Sequence, residues 1–473
     1  EMLRSLVGSE MCIRDRGYPY SDMKELINAA TPSRATSLYA ASTLASFFSN
    51  FEYDYSDKYY LSASFRYDGS SRFGKDHRWA PFWSVGGKYR ITQEEFMQST
   101  SHWLSDLTIH ASYGAVGNQD IGFYAAKGLY KYGSPYNSQA GSVPYQLENP
   151  DLKWETVNKF DIGFSAYLWN RLSLDIDYYN QYTKDMIFNV PMSRTSGFSY
   201  ITKNIGAMRN TGIEAMIKAH IMDTHDFGWN VTFSYTYNKN KIVRMATDDP
   251  ITTNYNIQKE GEAVNSFYLP EWAGVDPETG EGLWYTNGKG TPTTTDINEA
   301  HQVVLGQAAP KYYGALGMNF TYKGFDLDFS FNYSGGNKVF NRGFQYDMHA
   351  GSYLLGPVSR YVYENRWKEE GDIAKVPQFV WGGNKGAVQR TSRFLMDGDY
   401  VRLKNITLGY NFTKNLCSKI HMDNLRIYVS ADNLFTLTKD NFIGFDPQAG
   451  ATGFVQWAYP VATTIMFGIN IGL

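Results

Sequence analysis

From residue 45 to its end this chain alternates apolar and polar residues with a period of two, and that rhythm limits what it can fold into. Phe160, Ile162, Phe164, Ala166 and Leu168 share one side of a segment whose other side carries Asp161, Gly163, Ser165 and Tyr167. The next segment repeats the scheme, with Leu172, Leu174, Ile176 and Tyr178 set against Ser173, Asp175, Asp177 and Tyr179. An extended backbone sends successive side chains to opposite faces, so the pattern specifies strands with one wholly apolar face. Thirteen are expected, at 45–55, 59–67, 79–90, 106–113, 159–168, 172–183, 212–221, 228–238, 312–322, 325–334, 399–412, 424–431 and 463–473. Their lengths cluster near about ten residues, which a tilted strand needs to cross a hydrocarbon layer; strands of water-soluble domains average roughly five or six.

The connections sharpen this reading. Ser56-Asp57-Lys58, Trp169-Asn170-Arg171 and Lys323-Gly324 are tight hairpin turns, whereas the links at 114–158, 184–211, 239–311, 335–398 and 432–462 are long. Loops of that length are rare in compact domains, but membrane-spanning barrels alternate short turns on one side with long loops on the other. Parity agrees: with 45–55 running towards the short turns, 463–473 runs the same way. An odd strand count implies that the front of the barrel lies outside this chain, because single-chain bacterial barrels use even numbers. The expected fold class is therefore all-β, a transmembrane antiparallel β-barrel represented by part of its strands, with long extracellular loops. The rival is a water-soluble sandwich or propeller, which uses the same alternation.

Composition then finds its place. The chain has 37 Tyr, 29 Phe and 11 Trp, too many aromatics for disorder, and many fall at strand ends where rings would sit at headgroup level: Tyr59, Tyr60, Trp79, Trp83, Tyr178, Tyr179, Tyr182, Trp229, Tyr235, Tyr237, Tyr312, Tyr313 and Tyr410. A net charge of −3 offers no basic footprint, so no nucleic-acid partner is expected. No stretch of 18 apolar residues exists, which excludes a helical membrane span. Residues 1–16 have neither the apolar core nor the cleavage site of a secretory signal and read as non-native; 17–44 read as a connector, and 45–473 as the partial barrel without a plug. Short helices are expected over Asp22 to Ala30, after a capping box of Thr92 and Glu95, and over Ser359 to Glu370.

Candidate chemistry is sparse. Cys12 and Cys417 fit neither a disulfide framework nor a zinc spacing. The eight histidines include no HExxH and no i, i+4 pair, so no metal site is expected, and without a nucleotide loop or nucleophile elbow neither a cofactor nor an enzyme is. Asp276 to Gly282 could be drawn as a calcium loop but lacks the EF-hand spacing, and a Pro/Gly turn is favoured. Asp175 and Asp177 suit a polar barrel interior better than a glycosidase pair. Trp272, Trp284, Tyr285 and Trp381, with Trp367 and Trp457, are the substrate-binding candidates, since flat rings in long loops stack on sugars or apolar peptide side chains.

Several blocks carry a family resemblance. YLSASFRYDGSSRFG (60–74), WLSDLTIHASYGAVGNQDIG (103–122), NPDLKWET (149–156), NRLSLDIDYYNQYTKDMI (170–187), NIGAMRNTGIE (204–214), WAGVDPETGEGLWY (272–285), DGDYVRLKNITLGYNF (397–412) and LRIYVSADNLFTLT (425–438) occur in family order and cover most of 45–473. Together the chain resembles the SusC/RagA family of TonB-dependent outer-membrane transporters of Bacteroidota. That resemblance implies the last thirteen strands of a 22-stranded barrel, a separate N-terminal plug, contact with outer-membrane lipid, energy from the TonB complex through an N-terminal region, and a SusD-like surface lipoprotein. It also implies an oligosaccharide or peptide ligand. Many outer-membrane barrels finish on an aromatic residue, whereas this chain finishes on Leu473. A secreted glycan-binding module, a surface hydrolase and a passive porin remain the competing functions.

Overall fold

The computed structural model describes residues 40–472 apart from 138, 246–248, 354, 355, 357, 420, 440, 441, 445 and 458. The segment 1–16, most of the 17–44 connector, the helix expected at 22–30 and Cys12 lie outside the described residues.

All thirteen expected strands form one antiparallel sheet, each hydrogen-bonded to its neighbour in chain order. They are β1 (Leu44–Tyr55), β2 (Tyr59–Ser70), β3 (Trp79–Arg90), β4 (Leu104–Asn118), β5 (Glu155–Leu168), β6 (Leu172–Lys184), β7 (Ala207–Asp223), β8 (Phe227–Arg244), β9 (Tyr312–Tyr322), β10 (Phe325–Gly335), β11 (Tyr400–Asn411), β12 (Asn424–Thr438) and β13 (Thr464–Gly472). No helix among the described residues is long and apolar enough to cross a membrane. From β4 to β11 short turns and long links alternate, and the turns between β1 and β2 and between β5 and β6 place Ser56, Asp57, Trp169 and Asn170 at positive φ. Tight reversal of two twisted strands demands that conformation, and Asp and Asn tolerate it best. β7 and β8, with 17 and 18 residues, are longer than their apolar patterns, because their pairing continues past the apolar stretch into Asn238, Asn240 and Lys241.

Register sorts the two faces. Phe325, Leu327, Phe329 and Phe331 stand opposite Tyr410, Leu408, Ile406 and Leu403 on one side, while Asp326, Asp328 and Ser330 meet Gly409, Thr407 and Asn405 on the other. The polar face is knitted by side-chain hydrogen bonds that run across strands. His220 Nδ1 lies 2.6 Å from Asn230 Oδ1, Asn230 donates to Asn319 at 3.1 Å, and Asn319 donates to Asp328 at 2.7 Å, which links four consecutive strands. Arg426 of β12 reaches over β11 to Asp326 of β10, its Nε donating at 3.1 Å. Gly409 makes that reach possible: a Cβ there would stand 2.5 Å from Asp326 Oδ2 and 2.6 Å from Arg426 Nη2.

Aromatic rings gather at the ends of the apolar face, as with Tyr59 stacked on Tyr89 at 4.9 Å and Tyr67 on Trp79 at 5.1 Å. Three of the expected headgroup rings belong to the polar face instead, Tyr313 among them, opposite Thr236 and Ser334. Tyr60 pairs across to Lys88, whose Nζ lies 4.1 Å from its ring centre, and the Tyr179 hydroxyl donates to Asn238 at 3.0 Å. In the doublets Tyr59-Tyr60 and Tyr178-Tyr179 only one member can face the apolar side, because successive side chains alternate.

The link between β3 and β4 contains two short 3-10 turns, Ile91–Gln93 and Glu95–Thr100, in place of the helix expected from Thr92 and Glu95. The Thr92 hydroxyl donates to Asp106 at 3.1 Å rather than capping, and Glu94 does the fastening: Tyr59 and Tyr89 donate to it at 2.8 and 3.1 Å, and Lys58 lies 3.3 Å away. These donors, Tyr59 foremost, hold the Glu94 carboxyl below its ordinary range. The helix expected at 359–370 is shorter, Arg360–Asn365, with the Ser359 side chain as its cap.

Two outcomes follow from this packing. Gly409→Val should force Asp326 and Arg426 apart and destabilise the sheet by about 1–3 kcal/mol, read as a lower melting temperature in detergent, while Gly317→Ala, with no atom nearer than 3.9 Å to the new Cβ, should be near neutral. A depressed folded pKa means that Glu94 contributes stability above the ordinary glutamate value near about 4.3, lost as pH falls through the lower folded value. The protection factors of residues 91–103 against hydrogen exchange should therefore fall on acidification below that window, and Glu94→Gln should show the lower protection already at neutral pH with no such step.

Candidate functional site

The strands bury little. The larger apolar core lies in the long links at one end of the sheet: Phe267, Leu269 and Ala308 from the β8–β9 link pack with Phe340, Phe344, Met348, Val362, Val376, Phe394 and Met396 from the β10–β11 link, and Phe454 of the β12–β13 link closes on them. Three small sheets frame this cap. Ile251–Thr252, Asn256–Gln258, Ser266–Pro270 and Gln302–Gln307 form one, Trp272–Val275, Gly282–Tyr285 and Thr293–Thr294 the second, and Lys338–Asn341, Leu395–Asp397 and Phe454–Val455 the third. A second core of Phe73, Phe82, Ala126, Leu152 and Trp154 joins the β2–β3 and β4–β5 links.

The candidate aromatics divide within this cap. Trp284 is 0% exposed and meets Trp272 edge-on at 5.3 Å, so its ring has no face open to a ligand. Trp272 is half-buried and carries the Arg393 guanidinium 5.2 Å above its ring; Tyr285 is half-buried. Trp367 donates its indole N–H to the Pro277 carbonyl at 3.0 Å and so fastens one link to another. Trp381 is 84% exposed and Trp457 67% exposed, and these two present open ring faces.

Arg393 is the charged centre of the cap. Its Nη1 donates to the Ala387 carbonyl at 2.6 Å, its Nε has no partner, and no carboxylate pairs with it among the described residues. Burial pushes the guanidinium down to about 9, which leaves it charged at neutral pH. The Asp276 segment is a turn. Its carboxylate accepts from the Glu278 N–H at 3.0 Å and the Thr279 hydroxyl at 2.8 Å, and those donors, the backbone N–H first, hold the carboxyl below its usual range.

On the wall below the cap, Arg402 of β11 binds the β12–β13 link, with Nη2 donating to Asp446 at 2.6 Å and Nη1 to Gln448 at 3.2 Å, while its Nε donates to Thr436 of β12 at 2.9 Å. Lower still, Asp175 and Asp177 lie on the polar face of β6 as expected. Asp177 is joined there by His110 of β4 at 2.6 Å, with Asp161 of β5 3.9 Å from the same nitrogen. Sequence reasoning overlooked that grouping, because only the strand register brings positions so distant in the chain together; matching polar phases on three successive strands were the available signal.

Comparisons with known proteins agree with this architecture. Residues 13–434 match the family model "TonB dependent receptor-like, beta-barrel". TonB-dependent receptor P39 of Formosa agariphila is 28% identical over 96% of this chain and 48% of its own length, and TonB-dependent receptor SusC of Bacteroides thetaiotaomicron 29% identical over 93% and 44%. A chain of the RagAB peptide transporter superposes with a TM-score of 0.83 at 30% identity, over 93% of this chain and 49% of that one. The chain thus spans about half the length of the curated relatives it matches.

Because Arg402 is a nearly buried cation whose loss would strand Asp446, Arg402→Ala should cost about 3 kcal/mol and leave the 439–463 link open to limited proteolysis at protease levels that spare the parent protein.

Proposed function

The chain belongs to the TonB-dependent receptor β-barrel family, and from that premise we propose that it forms wall and outer cap of an outer-membrane importer for oligosaccharides, or for peptides, working with a SusD-like surface lipoprotein and the TonB complex. The observation that carries this reading is the superposition on the RagAB transporter chain across nearly the whole sheet and its loops. A sheet with one apolar face and one hydrogen-bonded polar face suits lipid on the outside and a wet passage within. The short turns then lie in the periplasm and the cap faces the medium.

In this arrangement the cap captures ligand and the polar face lines its way inward. The exposed rings of Trp381 and Trp457 supply flat apolar surfaces that stack on pyranose faces, and their setting in links that share one core keeps them from collapsing when the ligand leaves. The peptide reading has its own support, since the solved chain on which this one superposes is called a peptide transporter. A passive pore is disfavoured by membership in a TonB-dependent family, and the family is one of receptors and transporters rather than enzymes.

Calorimetric titration of the detergent-solubilised protein with oligosaccharide and peptide panels separates the readings. Trp381→Ala should weaken binding of the preferred ligand about tenfold, roughly the 1.4 kcal/mol that a lost stacking surface costs, with the melting temperature unchanged. Binding of peptides alone would move the assignment to peptide uptake, and binding of neither panel by the parent protein would remove the capture role from this cap.

A further inference from the structure

We propose that His110, Asp161 and Asp177 form a binding site for a single divalent transition-metal ion of the zinc class on the polar face of the sheet, with one coordination position left open to the passage. The three residues come from β4, β5 and β6, and one ligand atom from each lies within 4.8 Å of the other two. His110 stands opposite Gly163, which stands opposite Asp177, so the imidazole and the carboxylate approach each other across a strand that contributes no side chain between them. A Cβ at Gly163 would collide with the Asp177 carboxylate. Asp161, two residues away on the same face of β5, brings the third donor.

Charge is the second argument. Two carboxylates share this spot, and no Lys or Arg side chain lies within 4 Å of either among the described residues; His110 is the one basic neighbour at that range. Lys88 is the cross-strand neighbour of His110 on β3, yet its ammonium lies over the Tyr60 ring, 4.1 Å from its centre, and makes no ion pair with the two carboxylates. Asp161 accepts no hydrogen bond from a described residue, so its lone pairs are free. A divalent cation would neutralise both carboxylates and take the imidazole nitrogen in place of the hydrogen bond to Asp177.

Donor chemistry selects the ion. One imidazole nitrogen with two carboxylate oxygens suits zinc and its neighbours better than calcium or magnesium, which prefer shells of oxygen alone. Ligands held about 2.1 Å from a tetrahedral ion stand about 3.4 Å apart, between the 2.6 Å and 3.9 Å seen here, and the third pair lies within 4.8 Å. Three protein ligands leave the fourth place to water or to an oxygen of a passing ligand. The site stands on the wall residues alone and does not depend on which nutrient is carried.

The test uses tag-free protein in detergent, stripped with chelator and titrated with Co2+ as a spectroscopic probe and with Zn2+. One equivalent of Co2+ should bind with the intense visible absorption of a four-coordinate ion, and Zn2+ should displace it. His110→Ala and Asp161→Asn should each weaken Co2+ binding at least tenfold, whereas Asp175→Asn, on the same face but outside the group, should bind like the parent. Asp161→Asn keeps the test sound if His110→Ala misfolds, because Asp161 accepts no hydrogen bond from a described residue and Asn is nearly isosteric with it. Absence of stoichiometric Co2+ binding by the parent, or parental affinity in Asp161→Asn, overturns the proposal.

Discussion

Every strand amide that enters hydrocarbon must find its partner within the sheet, because lipid offers it none, and the rest of this molecule is arranged around that requirement. It explains why neighbours in space are neighbours in sequence across thirteen strands: a hairpin closes its own ladder at once, and no strand waits for a distant partner. It explains the turns, where Ser56, Asp57, Trp169 and Asn170 accept positive φ so that pairing resumes within three residues. It also explains why the polar face is laced with Asn, Asp and Arg contacts, since side chains there bind across strands without competing with the ladder.

The same requirement moves the hydrophobic core out of the sheet. An apolar face that rests against lipid needs no protein cover, so Phe467 and Ile469 can stay uncovered by the chain itself. The loops enjoy no such solvent and must bury their own apolar residues, which they do by pooling three links in one cluster around Phe267, Phe340 and Phe394. This cap therefore obeys the rules of a water-soluble domain while the wall beneath obeys those of the bilayer. Arg402 and Trp367 are fasteners in this scheme, the first binding a link to the wall and the second one link to another.

How much of this was legible in the sequence follows from the range of each interaction. Strand existence and facing are local, carried by alternation such as Phe325 to Phe331, and all thirteen strands could be placed. Strand ends were less legible: β7 and β8 outlast their apolar pattern because pairing continues where lipid stops, and polar residues on both faces hide the continuation. Doublets such as Tyr59-Tyr60 looked like two ring anchors although alternation allows only one. Loop packing was out of reach, because Trp284 and Trp381 are equally plausible stacking rings until the folded links bury one and leave the other bare. The grouping of His110 with Asp161 and Asp177 is a product of register, a property no single segment contains.

The extra length of β7 and β8 makes their hairpin a stiff post. At about 3.3 Å per residue, strands of this length outreach a hydrocarbon layer that needs roughly ten residues, and their upper ends continue as a paired ribbon into the base of the link that carries Phe267 and Trp284. Displacement of the cap is then transmitted along a ladder of hydrogen bonds rather than absorbed by slack chain, so a force applied to the loops would be felt in the wall as shear between strands.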